Sequence, residues 1–155
     1  MKRVVILGRG ASGKSTLARQ LGTITRLPVI ELDKLFWRQG LLPTPRDEWI
    51  AVQQKLIPQE QRIMDGDLGP YDAPEVRLRA ADTIILLDFP LLLSAWRALH
   101  RGRERADFWL WVLAYRRRNR PTLLESIARH ASHADLHVLR GPSTVARFLH
   151  SQVTC

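Results

Sequence analysis

Eight residues near the start of this sequence, Gly8-Arg9-Gly10-Ala11-Ser12-Gly13-Lys14-Ser15, have the types and spacing that hold a chain of phosphates. The glycines let the backbone curl so that successive N–H groups point inward and form a nest for anionic oxygens. A helix opening at the end of the loop adds its positive N-terminal end. The Lys14 ammonium would reach the outer phosphates, and the Ser15 hydroxyl would ligate Mg²⁺. The predicted nucleotide contacts are Gly8, Arg9, Gly10, Ala11, Ser12, Gly13, Lys14, Ser15 and Thr16. At ordinary residue frequencies the pattern arises by chance in a chain of this length on the order of once in two hundred. One rival fits the same residues. Gly8-x-Gly10-x-x-Gly13 is also the fingerprint of a dinucleotide site, and Asp33 lies 20 residues beyond Gly13, where a ribose-binding acid would sit. Lys14-Ser15 separates the two, because a dinucleotide has no terminal phosphate for that pair to hold.

Three acids carry the remaining chemistry. Asp65 ends Ile63-Met64-Asp65 and precedes Gly66; Asp88 ends Ile84-Ile85-Leu86-Leu87-Asp88 and precedes Phe89-Pro90. An acid closing the strand beside a phosphate loop holds Mg²⁺. Asp65 is preferred, because Gly66 permits close approach of backbone or ligand, whereas Asp88 reads as a cap for the segment that follows. Asp33 follows Pro28-Val29-Ile30-Glu31-Leu32 and is placed in the crevice at the strand ends, where ligands gather. A hydroxyl acceptor gains from a carboxylate base there, whereas a phosphate acceptor does not need one. Asp33 therefore leans toward a hydroxyl acceptor, against the plainer alternative of a solvated turn acid.

Arginines gather in two places. Arg97, Arg101, Arg103 and Arg105 flank residues 100–107, and Arg116, Arg117, Arg118 and Arg120 precede Pro121. Phosphoryl transfer spreads charge over three oxygens, which mobile arginines neutralise. A short basic lid at 100–107 is expected, with Lys14, Asp33, Arg117, Arg118 and Arg120 as the catalytic set. For any single one of these arginines a solvated helix face is the plainer reading; the functional reading belongs to the cluster. The tryptophans 37, 49, 96, 109 and 111 fall mostly at helical spacing and read as packing; Phe36-Trp37 is the exception that could stack on an acceptor ring. His130 and His133 share a helical face but have no third ligand partner.

The elements that must position these residues follow from apolar patterning. Val4–Leu7 is a continuous aliphatic run, as in a strand buried on both faces. Helix is predicted over Lys14–Leu21 with Gly22 as C-cap, and strand over Pro28–Leu32. Thr44 is expected to cap a helix with Pro45 at its first position and Asp47 completing a capping box; Trp49, Val52 and Leu56 form its apolar stripe. Strands follow at Arg62–Asp65, Thr83–Leu87 and Leu136–Leu139. Further helices are expected from Pro90 through Leu99, over Phe108–Tyr115, over Pro121–His130 and over Pro142–Leu149. Strands alternating with helices give a parallel sheet covered on both faces.

Composition bounds the rest. The 155 residues, 45% apolar, make one globular domain, 1–155. The apolar run before Gly8 is too short for a signal peptide, and the stretch around residues 84–96 is broken by Asp88 and Pro90, so no membrane span is expected. One cysteine, Cys155, allows no internal disulfide and fits a reducing, cytoplasmic setting. The net charge of +9 rests on 20 Arg and 4 Lys, which favours anionic partners: nucleotides, with nucleic acid permitted but unsupported by any groove-reading motif.

The sequence resembles the adenylate kinase-like phosphate-loop proteins known as topology modulation (FlaR-related) proteins. The resemblance is carried by Gly8 to Ser15, Leu32-Asp33-Lys34-Leu35-Phe36-Trp37, Thr44-Pro45-Arg46-Asp47-Glu48-Trp49, Met64-Asp65-Gly66-Asp67, Leu87-Asp88-Phe89-Pro90 and Arg116-Arg117-Arg118-Asn119-Arg120-Pro121. It implies a three-layer phosphate-loop NTPase fold with a five-stranded parallel sheet in the order 2-3-1-4-5, ATP as donor and Mg²⁺ as cofactor. The implied activity moves the γ-phosphate to a small acceptor, in a monomer or weak homodimer; the alternative is a nucleotide-binding regulator associated with DNA topology. Two departures weigh against AMP as acceptor. Asp65-Gly66 is not followed by the Phe-Pro-Arg of adenylate kinases, and the short lid has no metal-binding cysteines.

Overall fold

The computed structural model of the chain describes residues 1–89 and 120–153. The predicted lid at 100–107, the helices expected at 90–99 and 108–115, and Arg117 and Arg118 lie outside the described residues. The described chain runs β1 (Arg3–Gly8), α1 (Lys14–Thr25), β2 (Val29–Glu31), α2 (Leu32–Phe36), a small hairpin of β3 (Trp37–Arg38) and β4 (Leu42–Pro43), then α3 (Arg46–Leu56). It continues with β5 (Arg62–Asp65), α4 (Glu75–Arg79), β6 (Thr83–Leu87), α5 (Arg120–His130), β7 (Asp135–Leu139) and α6 (Pro142–Val153).

Five parallel strands form the main sheet in the order β2-β5-β1-β6-β7. Counting only these strands, the order is 2-3-1-4-5, as expected. The continuous apolar runs explain the layering. Along β1, Val5 and Leu7 face one side with Met64, Ile84 and Leu86, where Trp49, Leu78, Leu123 and Ile127 of α3, α4 and α5 cover them. Val4 and Ile6 face the other side with Ile63, Ile85 and Leu87, beneath Leu17, Leu21 and Phe148 of α1 and α6. Successive side chains of a strand point to opposite faces, so a strand covered on both needs an unbroken apolar run. The register brings Gly8 beside Leu87, and Asp65 beside both Ile6 and Glu31, at the C-terminal edge of the sheet.

Three local expectations are corrected. Gly22 is not a C-cap: α1 continues to Thr25 and ends at Arg26 in the left-handed region, φ 59°. Gly22 is instead a point of close approach, because a Cβ there would lie 2.7 Å from Val29 Cγ2. Thr44 does not cap α3. Pro45 occupies the cap position, its carbonyl accepting from Trp49 N at 2.9 Å, while the Thr44 hydroxyl donates to the Phe36 carbonyl and ties the hairpin to α2. The second strand is shorter than expected, and Leu32 opens α2 rather than ending a strand.

Candidate functional site

The loop is shaped by its immediate surroundings. Gly8 leaves β1 at φ 142°, and a Cβ on it would meet the Leu87 carbonyl oxygen at 2.5 Å, so only glycine lets β1 and β6 stay paired at this end. The turn then closes with Ser12 N donating to Arg9 O at 3.2 Å, passes through Ala11 at φ 59° and Gly13 at φ 95°, and starts α1 with Leu17 N donating to Gly13 O at 3.0 Å. Left-handed residues alternating with ordinary ones turn consecutive N–H groups toward one concavity. The loop wraps around the Lys14 ammonium, which is buried and donates to the Gly8 and Arg9 carbonyls, each at 3.0 Å. Ser15 and Thr16 lie in the first turn of α1.

Asp65 ends β5 beside this loop and is only 1% exposed. Burial pushes its carboxyl up, while a hydrogen-bonding contact with the Ser15 hydroxyl and the charge of Lys14 pull it down. Its Oδ1 is buried with no partner in normal hydrogen-bond geometry. A buried, unpaired carboxylate oxygen next to a hydroxyl is costly unless a cation completes it. Ser15 and Asp65 therefore fit a Mg²⁺ ion that keeps its waters and takes further oxygens from a phosphate chain. Among the described residues no group of three His, Cys, Asp or Glu side chains forms an all-protein metal site. Asp88, the competitor for this position, is engaged elsewhere: Arg120 donates to its Oδ2 from Nε at 3.0 Å and from Nη2 at 2.9 Å. Arg120 thus begins α5 anchored to the end of β6.

Asp33 lies in the first turn of α2. Asp33 is exposed, and its carboxyl feels the surrounding protein: partial burial pushes it up, Lys14 pulls it down, and Asp65, Asp72 and Asp67 push it up again. The structure thus brings Lys14, Asp33, Asp65 and Ser15 into one electrostatic neighbourhood. It also adds Asp67, whose Oδ2 accepts from the loop amide of Gly8 at 3.4 Å and whose Oδ1 accepts from Gly69 N at 3.1 Å. Burial pushes Asp67 up and Lys14 pulls it down. The available signal for Asp67 was Gly66, at φ 156° and packed so closely on Leu32 that a Cβ would lie 2.8 Å from Leu32 Cβ, which turns the chain back toward the loop.

A buried ion pair supports this wall of the crevice. Arg77 and Asp72 are fully desolvated, with Nη2 donating to Oδ2 at 2.6 Å and Nη1 to Oδ1 at 2.9 Å. Arg77 also donates to Gln53 Oε1 at 2.9 Å and Gly66 O at 3.0 Å. Asp72 accepts in addition from Trp49 Nε1, Leu68 N and Ala73 N at 3.1, 3.2 and 2.8 Å. Burial alone would raise Asp72, but the charge and hydrogen bonds of Arg77, with those of Trp49 and Leu68, leave it below the usual carboxylate range. The segment from Gly66 to Asp72 is thereby clamped to α3 and α4.

Phe36 and Trp37 divide in role. Phe36 is buried, edge-on to Trp49 at 5.1 Å, and so unavailable to a ligand; Trp37 is exposed and meets Tyr71 edge-on at 6.3 Å. His130 and His133 hold structure rather than metal: His130 Nδ1 accepts from Arg79 Nε at 3.4 Å, and His133 Nε2 meets Ala81 O at 3.0 Å.

No helix among the described residues is long and apolar enough to cross a membrane. No family model matches this sequence. Adenylate kinases from two strains of Mycobacterium leprae, Br4923 and TN, are each 33% identical to the chain over 111 residues, 66% of this chain and 56% of theirs. The chain thus spans little more than half the length of these curated relatives. In three dimensions it is similar to shikimate kinase from Acinetobacter baumannii in complex with shikimate, at a TM-score of 0.71 and 14% identity, covering 97% of this chain and 90% of the other. It is similar also to a gluconokinase from Sinorhizobium meliloti 1021, at a TM-score of 0.61 and 19% identity over 99% and 90% of the two chains. The chain therefore has the α/β fold, built on a five-stranded parallel sheet, of the phosphate-loop kinases.

Proposed function

We propose that this chain is a Mg²⁺-ATP-dependent phosphotransferase acting on a small acceptor. The observation that carries the reading is the pairing of a phosphate loop closed around the Lys14 ammonium with a buried, unpartnered Asp65 Oδ1 beside Ser15. An ammonium that now donates to loop carbonyls exchanges them for β- and γ-phosphate oxygens when a triphosphate enters. The loop amides from Gly8 to Thr16 and the N-terminus of α1 hold the same oxygens. Ser15 and Asp65 would hold Mg²⁺, which supplies charge neutralisation on the phosphates. Asp33, raised by burial, would orient the acceptor hydroxyl and take its proton. Arg120, with Arg117 and Arg118 just before it in sequence, would neutralise the transferred group; for Arg120 this requires exchange of its bond to Asp88.

The kinase names of the M. leprae relatives and of the structural neighbours support the reaction class. The test is transfer from γ-labelled ATP to a panel of nucleotides, nucleosides and small alcohols. Labelled product supports the reading. Transfer to no acceptor, together with salt-sensitive retention on DNA, would favour a nucleotide-binding regulator instead.

A further inference from the structure

The first residue of the phosphate loop is held by a side chain that the proposed chemistry does not use. Strands β1 and β5 form a parallel ladder in which Arg62 N donates to Lys2 O at 2.9 Å and Gly66 N donates to Ile6 O at 3.3 Å. Donors in such a ladder come from the two strands in turn, evenly spaced. One further rung would therefore run from Gly8 N to Gly66 O. Side chains take both groups instead: Gly66 O accepts from Arg77 Nη2 at 3.0 Å, and Gly8 N donates to Asp67 Oδ2 at 3.4 Å. The ladder thus ends where the loop begins, with Arg77 and Asp67 satisfying its open end.

Asp67 is itself fixed. Its Oδ1 accepts from Gly69 N at 3.1 Å, an aspartate turn two residues long that sets the direction of the carboxylate. Gly69 belongs to the turn that Asp72 and Arg77 clamp: Asp72 N donates to Gly69 O at 3.2 Å, and Leu68 N donates to Asp72 Oδ2 at 3.2 Å. Each oxygen of Asp67 therefore serves one amide, one inside the clamped turn and the other at the entry to the phosphate loop. On its far side Gly8 is pressed against Leu87 of β6, where a Cβ would lie 2.5 Å from the carbonyl oxygen. Leu87 and Asp67 together locate the start of the loop.

Building on the phosphotransferase reading above, we infer that Asp67 is a positioning residue for the nucleotide: its carboxylate ties the turn clamped by Arg77 and Asp72 to the first amide of the phosphate loop, and so holds the loop ready for a triphosphate. In this role Asp67 touches neither phosphate nor metal; it acts through Gly8. A loop already held in its receiving shape loses less binding energy to its own ordering. The charge of Asp67 separates this role from a purely electrostatic one. Asp67 carries the same sign as the phosphates and lies within reach of the Lys14 charge. If charge alone mattered, removing it would strengthen the binding of an anionic ligand. Positioning predicts the reverse.

Calorimetry with Mg²⁺-ATP, and hydrogen exchange of the Gly8 amide read by NMR without nucleotide, test this on wild type, Asp67→Asn, Arg77→Lys and the double variant. In wild type the Gly8 amide should exchange as slowly as that of Ile6 in β1. Asparagine keeps the size of Asp67, but its one carbonyl oxygen stays with Gly69 in the turn and leaves an NH₂ group against Gly8 N. Asp67→Asn should therefore speed Gly8 exchange roughly tenfold, leave Ile6 unchanged, and weaken ATP binding about five- to tenfold. Arg77→Lys keeps a cation beside Asp72 but loses the fork that also reaches Gly66 O, so both readouts should move the same way. In the double variant the loss of ATP affinity should exceed the larger single loss by no more than about twofold, because both changes act through one tie. Fast Gly8 exchange in wild type, ATP binding unchanged or tighter in Asp67→Asn, or fully additive losses would overturn the inference. Absence of ATP binding by wild type would instead overturn the phosphotransferase reading beneath it.

Discussion

Replacing Arg77 with methionine removes a guanidinium that makes four hydrogen bonds inside the protein, two of them to the Asp72 carboxylate. The methionine refills most of the apolar stem, so the loss is electrostatic. Asp72 would keep donors from Trp49, Leu68 and Ala73 but stay buried as an uncompensated charge, and Gln53 Oε1 and Gly66 O would each lose a donor. Breaking one side of a buried pair costs about 3–5 kcal/mol, a large share of the roughly 5–15 kcal/mol that holds a domain folded. For a chain of this size that corresponds to a fall of roughly 6–20 °C in Tm. Urea unfolding followed by tryptophan fluorescence reads it directly, with buried Trp49 a reporter inside the network. The double variant Asp72→Asn/Arg77→Met removes the stranded charge and should recover at least about 1 kcal/mol relative to Arg77→Met alone. A single variant that loses less than about 1 kcal/mol, or a double variant worse than the single, would refute the idea that this pair clamps the turn carrying Asp67.

The same pair sets an acid dependence. Asp72 is held below its ordinary value, so its contribution is complete above the unfolded carboxylate value of about 3.9 and is lost as pH falls through the lower folded value. The stability gap between wild type and Asp72→Asn should therefore close below about pH 4; a gap independent of pH in acid would contradict this. Gly22→Ala should destabilise by about 1 kcal/mol, because a Cβ 2.7 Å from Val29 outweighs the roughly 1 kcal/mol helix-propensity gain; an increase in Tm would show that Gly22 is an ordinary helical glycine. Gly8→Ala places a Cβ 2.5 Å from a backbone carbonyl that cannot rotate away, so a loss of about 3 kcal/mol or more is expected in thermal unfolding. A loss under about 1 kcal/mol would mean that the β1–β6 contact at Leu87 yields easily.

What could be read from the sequence was whatever is local and periodic. The loop from Gly8 to Ser15, the aliphatic runs of β1, β5, β6 and β7, and the alternation with helices lead to a parallel sheet covered on both faces because each is written in consecutive residues, whereas the order of its strands comes from the family resemblance. The misreadings share one cause, contact between distant segments. Gly22 looks like a helix end, yet its reason is Val29, brought alongside by the sheet. Thr44 looks like a cap, yet its hydroxyl serves the Phe36 carbonyl eight residues back. The two-residue strands Trp37–Arg38 and Leu42–Pro43 are too short to show any period. Arg77 sits among Glu75 and Arg79 in a five-residue helix and reads locally as a solvated charge; only the fold reveals that it is buried against Asp72 and Gln53. Asp67 escaped for a similar reason, since its part depends on Gly66 returning the chain to the loop.

Everything proposed for the site depends on the loop around Lys14 holding a triphosphate with Mg²⁺. Calorimetric titration of the wild-type chain with ATP and Mg²⁺, with NAD, and of Lys14→Ala with ATP and Mg²⁺ tests it most directly. Two charge-assisted contacts from the ammonium amount to about 3 kcal/mol, so Lys14→Ala should bind ATP roughly a hundredfold more weakly. Wild type should give heat with Mg²⁺-ATP, Lys14→Ala should show that loss, and NAD should give none. Binding of NAD in place of ATP, or unchanged ATP affinity in Lys14→Ala, would contradict it.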